Sequence, residues 1–324
     1  MSDSHSTGEF SAESASSPIR PDPWVYQNGE WVPQSQAHIR LNDAGFVQGA
    51  TITDMIRTFG GVPFLCAEHV GRFHLGCLRS GISFPKGVTP QSLTRVVEEV
   101  VTKNRSLYGP DEEFAVVLLA TPGPVGFYLG EPGGFGDGEP SLIVHGFPVP
   151  RKRYAGWFRD GAKLRLVETR QVPGVCVPEG LKTRSRMHWW LAERQARAQE
   201  PGSIALLQHI DGQITETAPA NVLFIKNGIC KSPPMAHILP GVTLGRVKRM
   251  ILQLGIEFQE GPIYPPEAIE AEEILLTGTM FGIAGVGSLD GRRLKWPGQI
   301  YPKLLRMWEV EVGVNLSQWF QQSW

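Results

Sequence analysis

The sequence predicts a two-domain protein that mixes strands and helices, of the α+β or mixed α/β class. Its 324 residues suffice for one large or two medium domains. Hairpin turn signals occur in both halves, together with segments of helical periodicity. The regular strand–helix alternation that is typical of a parallel α/β sheet is not visible in the sequence. We therefore expect hairpins and packed helices in both domains.

Residues 1–22 are predicted to form a disordered tail. They contain seven serines and almost no aliphatic residues, so they cannot bury enough apolar surface to become ordered. No basic stretch followed by an apolar run marks a signal peptide. We expect the first domain, residues 23–146, to begin after this tail.

The first domain opens with a predicted hairpin, because apolar segments flank Asn28-Gly29. Helical spacing of apolar residues predicts a helix over Glu68–Arg79, and Thr89-Pro90 is typical of the start of a second helix. The apolar run Phe114–Ala120 predicts a buried strand. This order of elements indicates a small α/β domain.

A connection between two domains is predicted near the middle of the chain. The glycine-rich segment Gly130–Pro140 is interpreted as a surface loop, since no strand–turn–helix context supports a dinucleotide site. Residues 147–154, FPVPRKRY, contain two prolines that are typical of a stiff linker. The larger second domain is therefore expected over residues 155–324.

The second domain is predicted to contain hairpins followed by a helix. Asp211-Gly212 and Asn227-Gly228 each lie between apolar runs, as hairpin turns do. A helix is expected over Arg186–Gln199, and another begins near Thr243.

Charge and cysteine usage exclude several classes of protein. Thirty-one Lys and Arg balance 32 Asp and Glu, so no excess of positive charge favours nucleic acid as a partner. The longest conspicuous apolar run, Phe114–Ala120, is far shorter than the ~20 residues of a membrane-spanning helix. The four cysteines form no C-x-x-C pair, and we predict no metal site. Reduced thiols and a cytoplasmic location are expected.

Chemistry-bearing residues occur in a fixed order along the chain. Arg72 lies on the first helix, Lys182 precedes a helix, and Glu216 ends a hairpin strand. The turn Leu239–Thr243 opens a helix, whose free N–H groups and dipole favour an anion such as phosphate. Thr277-Gly278-Thr279 later offers two hydroxyls and turn amides. Together they supply an amine, a carboxylate and a phosphate site, the groups that pyridoxal 5′-phosphate (PLP) needs.

This order of segments resembles the class IV, or fold type IV, aminotransferases over about residues 24–312. The resemblance implies a two-domain fold type IV PLP enzyme, a homodimer, and amino acid and 2-oxo acid substrates. The motifs that carry it are Asp43-Ala44-Gly45, Gly49, Glu68-His69, Arg72, Lys182, Glu216, Asn221, Leu239-Pro240-Gly241-Val242-Thr243 and Thr277-Gly278-Thr279.

The resemblance also implies a role for each site residue. Lys182 would form the Schiff base with PLP and later move a proton at the substrate Cα. Glu216 would face the pyridine nitrogen and keep it protonated, because a carboxylate favours the charged form. The phosphate would be held by Arg72, the backbone N–H groups of Val242 and Thr243 with the Thr243 hydroxyl, and Thr279.

The sequence departs from the family where the substrate is expected. Thr53 stands before Asp54, where members usually have an aromatic residue, and we predict that Gln48 and Thr53 contact the substrate. Thr121-Pro122-Gly123 replaces a Thr-Arg-Gly that many members have.

Arg186 is a third candidate for a substrate contact. A guanidinium can bind a carboxylate through two hydrogen bonds. For Arg184 and Arg186 alike, a salt bridge at the surface or at a subunit interface is the more common role. Met187 stands where branched-chain members have a tyrosine, and Lys182–Met187 resembles the lysine segment of aminodeoxychorismate lyases.

Three functions therefore follow from the sequence. The first is an aminotransferase that acts on a branched-chain-like amino acid, a D-amino acid or an amine. The second is aminodeoxychorismate lyase on the same scaffold. The third is a non-catalytic relative, against which the presence of both Lys182 and Glu216 argues.

Overall fold

The computed structural model describes residues 22–132 and 138–321. The predicted disordered tail lies outside this part of the chain, apart from Asp22, and so do residues 133–137 of the predicted loop. The helices are α1 Ala44–Val47, α2 Cys66–Arg79, α3 Pro90–Asn104, α4 Arg151–Asp160, α5 Met187–Gln199, α6 Val242–Gln253, α7 Pro265–Ile269, α8 Tyr301–Val312 and α9 Leu316–Gln321. The strands are β1 Trp24–Gln27, β2 Glu30–Pro33, β3 Ile52–Phe59, β4 Val62–Pro63, β5 Phe114–Thr121, β6 Ser141–Pro148, β7 Ala162–Arg170, β8 Ile204–Gln208, β9 Ile214–Thr217, β10 Asn221–Lys226, β11 Ile229–Ser232, β12 Glu257–Glu260, β13 Glu273–Gly278, β14 Gly282–Leu289 and β15 Arg292–Arg293.

The first part of the chain folds as an antiparallel sheet of six strands in the order β2-β1-β6-β5-β3-β4. The predicted hairpin is confirmed: Asn28 and Gly29 have φ values of 51° and 99°, and two positive φ angles are typical of a type I′ turn. The predicted buried strand, β5, lies between β6 and β3. Its inner side chains reach the core from the middle of the sheet.

Helices α2 and α3 pack with this sheet, and both were expected from the sequence. Thr89 caps α3 by accepting a hydrogen bond from the Ser92 N–H, while the Ser92 hydroxyl accepts one from the Thr89 N–H. Apolar residues at helical spacing bury one face of each helix against the sheet. The core residues from the two helices are Val70, Phe73, Cys77, Leu93, Val97, Val100 and Val101.

The second part of the chain forms a nine-stranded sheet that closes on itself. Strands β10-β13-β14-β7-β8-β9 follow one another, and β9 pairs back with β10. The closing pair brings Glu216 opposite Asn221. Both predicted hairpins in this part, at Asp211-Gly212 and Asn227-Gly228, are confirmed as β8–β9 and β10–β11. Strands β7 and β8 pair in parallel and are joined through α5, the helix that follows Lys182.

The connection between the two parts is shorter than the predicted linker over 147–154. Strand β6 continues to Pro148, and α4 begins at Arg151, so only Val149 and Pro150 lie outside regular structure. The two prolines occur at the end of the strand and before the helix, where a missing N–H costs little. The segment is therefore mostly strand and helix.

Arg57 on β3 joins the two parts through a buried guanidinium. Its Nη1 donates to the carbonyl of Met280, at 2.6 Å, and its Nε donates to the carbonyl of Thr58, at 3.1 Å. The guanidinium also lies 4.1 Å from the ring centre of Phe59 and 5.0 Å from that of Trp319 on α9. Burial lowers the pKa of Arg57 to about 9. The side chain thus binds the first sheet to the turn after β13.

We expect Arg57→Ala to destabilise the protein by about 3 kcal/mol, because it leaves a cavity and an unpaired Met280 carbonyl. Arg57→Met keeps most of the apolar volume and should lose less. Urea unfolding of the three proteins measures the effect, with Arg95→Ala at an exposed position of α3 as control. Equal losses in Arg57→Ala and Arg95→Ala would contradict the role of the buried guanidinium.

Candidate active site

A cavity of about 1100 Å³, including the part open to solvent, lies where the segment 171–186 meets the closed sheet and the start of α6. Seven of the nine site residues predicted from the sequence line it. They come from separate segments of the chain: Arg72, Lys182, Arg186, Glu216, Val242, Thr243 and Thr279. The fold thus brings together the groups that the order of motifs predicted.

Lys182 is positioned by backbone contacts with β3. Its carbonyl accepts a hydrogen bond from the Thr53 N–H at 2.8 Å, and Thr183 forms an isolated bridge with Ile52. The Arg184 N–H also donates to the Thr51 hydroxyl at 2.8 Å. Lys182 Nζ has no hydrogen-bond partner among the described residues. Burial, and then the charge of Arg72, lowers the pKa of Lys182 to about 8, which favours the nucleophilic amine.

Glu216 is a buried carboxylate whose hydrogen bonds, among the described residues, come from two amide groups. Asn221 Nδ2 donates to Oε2 at 2.9 Å, and the Leu239 N–H donates to Oε1 at 3.1 Å. No ion pair forms at this carboxylate within the described part of the chain. Burial therefore raises the pKa of Glu216 to about 7. A cationic N–H group placed here would give the carboxylate the positively charged partner that it lacks.

Arg72 is held by a buried carboxylate that the sequence analysis did not assign to the site. Its Nε and Nη2 each donate to Asp54 at 2.8 Å, and its Nη1 donates to the Pro240 carbonyl at 3.1 Å. Burial alone would raise the pKa of Asp54, but the Arg72 and His69 charges hold it well below its usual range. Asp54 is the one acidic residue of strand β3, and a carboxylate inside a predicted strand is the signal that could have identified this partner. The Arg72 side chain is thus fixed at the cavity.

The N-terminus of α6 reaches the same cavity. Gly241 precedes the helix and offers no side-chain cap, so the first N–H groups, at Val242 and Thr243, stay free for a ligand. A Cβ on Gly241 would lie 2.1 Å from Asn221 Oδ1, so only glycine fits. Two hydroxyls also line the cavity: Thr277 near the end of β13 and Thr279 in the turn after it. Thr277 Oγ1 is buried without a hydrogen-bond partner among the described residues.

Arg186 lies at the cavity and not in a salt bridge within the described part of the chain. Its Nη2 donates to the Ala218 carbonyl at 2.8 Å, and its guanidinium lies 5.6 Å from the Trp189 ring centre. A surface salt bridge, the more common role, is thus not what the structure shows. Arg184, by contrast, is exposed and lies outside the cavity lining.

Gln48 and Thr53 are not among the residues that line the cavity. The Thr53 hydroxyl donates to the Leu118 carbonyl at 2.8 Å inside the first sheet. Gln48 ends the short helix α1 and is exposed. The predicted substrate contacts therefore receive no support from this geometry. Thr53 supports the site instead through its backbone N–H, which binds Lys182.

Residues 51–289 match the model of the amino-transferase class IV family. The chain is 28% identical over 283 residues to a putative branched-chain-amino-acid aminotransferase of Methanocaldococcus jannaschii, covering 86% of this chain and 93% of the relative. It is 22% identical over 285 residues to the D-alanine aminotransferase of Bacillus licheniformis, covering 83% and 89% of the two chains. Both relatives are thus aligned over most of their length.

Solved structures share the fold. The branched-chain amino acid aminotransferase of Escherichia coli superposes with a TM-score of 0.79 at 21% identity, covering 89% of this chain and 93% of that one. An aminotransferase from Brucella abortus, bound to PLP, superposes with a TM-score of 0.76 at 19% identity, covering 90% and 99%. The two-domain architecture is therefore that of fold type IV.

The chain belongs to the class IV aminotransferases. It is a PLP-dependent aminotransferase whose substrates are amino acids and 2-oxo acids. The family and fold predicted from the order of motifs are confirmed. No helix of the described residues has the length and apolar character needed to cross a membrane.

The buried carboxylate makes the stability of the cofactor-free protein depend on pH. The pKa of Glu216 in the folded protein, about 7, exceeds its ordinary value of 4.5, so its protonation stabilises the fold at low pH. This contribution is lost as pH rises through 7. We expect Glu216→Gln to gain up to about 3 kcal/mol of stability, relative to wild type, between pH 5 and pH 8.

Thermal or urea unfolding of both proteins at pH 5 and pH 8 measures this difference. Glu68→Gln, at an exposed position of α2, serves as the control and should show no such change. A difference between Glu216→Gln and wild type that is the same at both pH values would contradict the raised pKa.

Proposed function

We propose that Lys182 binds the aldehyde of PLP, Glu216 binds its ring nitrogen, and Arg72, Val242, Thr243 and Thr279 hold its phosphate. The observation that carries this proposal is that Lys182 and Glu216 line one cavity together with the free N–H groups of α6. Bound there, PLP withdraws electrons from the substrate Cα, so that an amino group can pass between an amino acid and a 2-oxo acid.

The described residues fit this cofactor. A buried Glu216 without a cationic partner suits a protonated ring nitrogen, which would lower the pKa of the carboxyl from about 7. The unpartnered hydroxyl of Thr277 and the uncapped start of α6 offer hydrogen bonds to phosphate oxygens. Arg72 supplies a positive charge while Asp54 fixes its orientation.

Each residue then has a distinct chemical task. Glu216 holds a proton at the ring nitrogen. Once the substrate amine has replaced it at the cofactor, the Nζ of Lys182 would take the proton from the substrate Cα and deliver it to C4′ of the cofactor. Its lowered pKa, about 8, keeps a useful fraction of the amine neutral near pH 7. Arg72 orients the cofactor without moving a proton.

Arg186 is proposed to bind the substrate carboxylate. Of the arginine and lysine side chains that line the cavity in the described part of the chain, Arg72 and Lys182 are already assigned to the cofactor, which leaves Arg186. Arg186 donates only to the Ala218 carbonyl in the described part of the chain, so most of its donors remain for a ligand. A guanidinium next to a cavity of this kind favours substrates with a carboxylate over simple amines.

We propose a branched-chain or D-amino acid as the amino donor. The support is that the relatives described above bear the names of branched-chain and D-alanine aminotransferases. Aminodeoxychorismate lyase, the alternative from the lysine segment, receives no specific support from these relatives or from the described contacts.

We also propose a homodimer in the cytoplasm. Large apolar side chains on segments next to the cavity are exposed in the single chain: Val175 is 92% exposed, Met187 69% and Trp190 63%. A second subunit would cover such a surface. The four cysteines are all free thiols, as in a reducing compartment.

Lys182→Ala should abolish amino-group transfer and the absorbance band of the lysine-bound cofactor, since no second lysine is found among the described residues that line the cavity. Transfer from a panel of L- and D-amino acids to 2-oxoglutarate or pyruvate, followed by mass spectrometry, is the measurement. Lys86→Ala, at an exposed position between α2 and α3, is the control. Turnover by Lys182→Ala close to wild type would overturn the assignment.

Arg186→Gln should raise KM for both the best amino acid and the best oxo acid by about 10- to 100-fold, the cost of one charge-assisted hydrogen bond. The cofactor band should be retained. Arg184→Gln, two residues away and outside the cavity lining, should leave both KM values within about twofold. Equal KM values for Arg186→Gln and Arg184→Gln would remove Arg186 from the substrate site.

A further inference from the structure

We propose that Glu179, His209 and His237 form a binding site for a divalent transition-metal ion at the wall of the cavity. One ligand atom from each lies within 4.8 Å of the other two, and all three side chains are half-buried. Glu179 and His237 also line the cavity. The sequence predicted no metal site, because these residues lie in three separate segments.

The side chains offer the ligands that zinc, nickel and cobalt ions prefer. Two imidazoles and one carboxylate leave a fourth position open to water or another ligand. Ligand atoms around a tetrahedral ion, bound at about 2.0–2.2 Å, lie roughly 3.3–3.5 Å apart. Side-chain rotations that bring the three ligand atoms from within 4.8 Å to this spacing would close the cluster around the ion. Magnesium and calcium ions, which prefer oxygen ligands, should bind poorly.

The two imidazoles have unmet hydrogen-bonding capacity. His237 Nδ1 is buried and has no partner among the described residues. His209 Nδ1 lies 3.1 Å from Asp211 Oδ1, but the groups are not aligned for a hydrogen bond. The two rings stack with their planes 15° apart and their centres 4.4 Å apart, so one ring must rotate before both lone pairs converge on an ion. A bound ion would take one nitrogen lone pair from each ring. With His209 bound through Nε2, its Nδ1–H would face Asp211, which would orient the ring.

Metal binding would connect the segments that carry the active site. Glu179 lies three residues before Lys182, and its Oε1 accepts a hydrogen bond from the Gly174 N–H within the same segment. His209 follows β8 and precedes β9, the strand of Glu216. His237 ends the short 3₁₀ helix Met235–His237 before the turn to α6. An ion at this point would fix the Lys182 segment against the closed sheet.

The test uses tag-free holoenzyme that has been treated with a chelator and then dialysed. Zn²⁺ titration by calorimetry or equilibrium dialysis should give about one ion per chain. Co²⁺ should give the visible absorption bands of a low-coordinate site. His237→Gln and Glu179→Gln should each weaken Zn²⁺ binding by about tenfold or more. His38→Gln, at an exposed histidine far in sequence from the three proposed ligands, is the matched control and should leave Zn²⁺ binding unchanged.

The cofactor absorbance band is recorded in every variant, so that a loss of the fold is distinguished from a loss of the ion. Retained cofactor with lost Zn²⁺ binding in both variants supports the site. No stoichiometric Zn²⁺ binding by wild type, or binding that neither His237→Gln nor Glu179→Gln weakens, would overturn it. The three side chains would then be a polar cluster without an ion.

Discussion

The buried carboxylate of Glu216 is the group around which the active site is built. A carboxylate without water is costly unless donors surround it, and here Asn221 and the Leu239 N–H supply them. Asn221 reaches it because β9 pairs with β10 and closes the sheet. The same amide donates to the Leu239 carbonyl, so the turn into α6 is fixed by the strands that hold the carboxylate. The proposed sites for the ring nitrogen and for the phosphate are thereby one connected unit.

The pKa values of Lys182 and Glu216 are shifted in opposite directions. Burial lowers the pKa of Lys182 to about 8 and raises that of Glu216 to about 7, so both groups are brought towards neutrality near physiological pH. Arg72, by contrast, has a fixed anionic partner, because its Nε lies 2.8 Å from the Asp54 carboxylate. The cavity therefore contains two different basic groups: Arg72, which Asp54 holds in place, and Lys182, whose amine is free to react. Arg72 suits ligand binding and Lys182 suits proton transfer.

The first sheet contributes to the site although the closed sheet of the second part carries most of its residues. Strand β3 holds the Lys182 carbonyl through the Thr53 N–H and supplies Asp54 to Arg72. Its Arg57 binds the carbonyl of Met280, next to the proposed phosphate turn. Substitutions in this strand can thus alter the cavity without contacting a substrate. Because Trp319 of α9 also packs on Arg57, this last described helix is part of the same arrangement.

The sequence by itself determined the hairpins at Asn28-Gly29 and Asp211-Gly212, the helix that Thr89 caps, and the set of residues that meet at the cavity. These signals are local: a turn, a cap or an apolar face is encoded within a few residues, and the order of short motifs identified the family. Only the tertiary structure decided which distant groups touch. The Asp54–Arg72 pair, the Arg186–Ala218 hydrogen bond and the Glu179, His209 and His237 cluster arise from strand pairing and loop packing across long stretches of chain. Local periodicity carries no information on such contacts, because they join residues that are far apart along the chain.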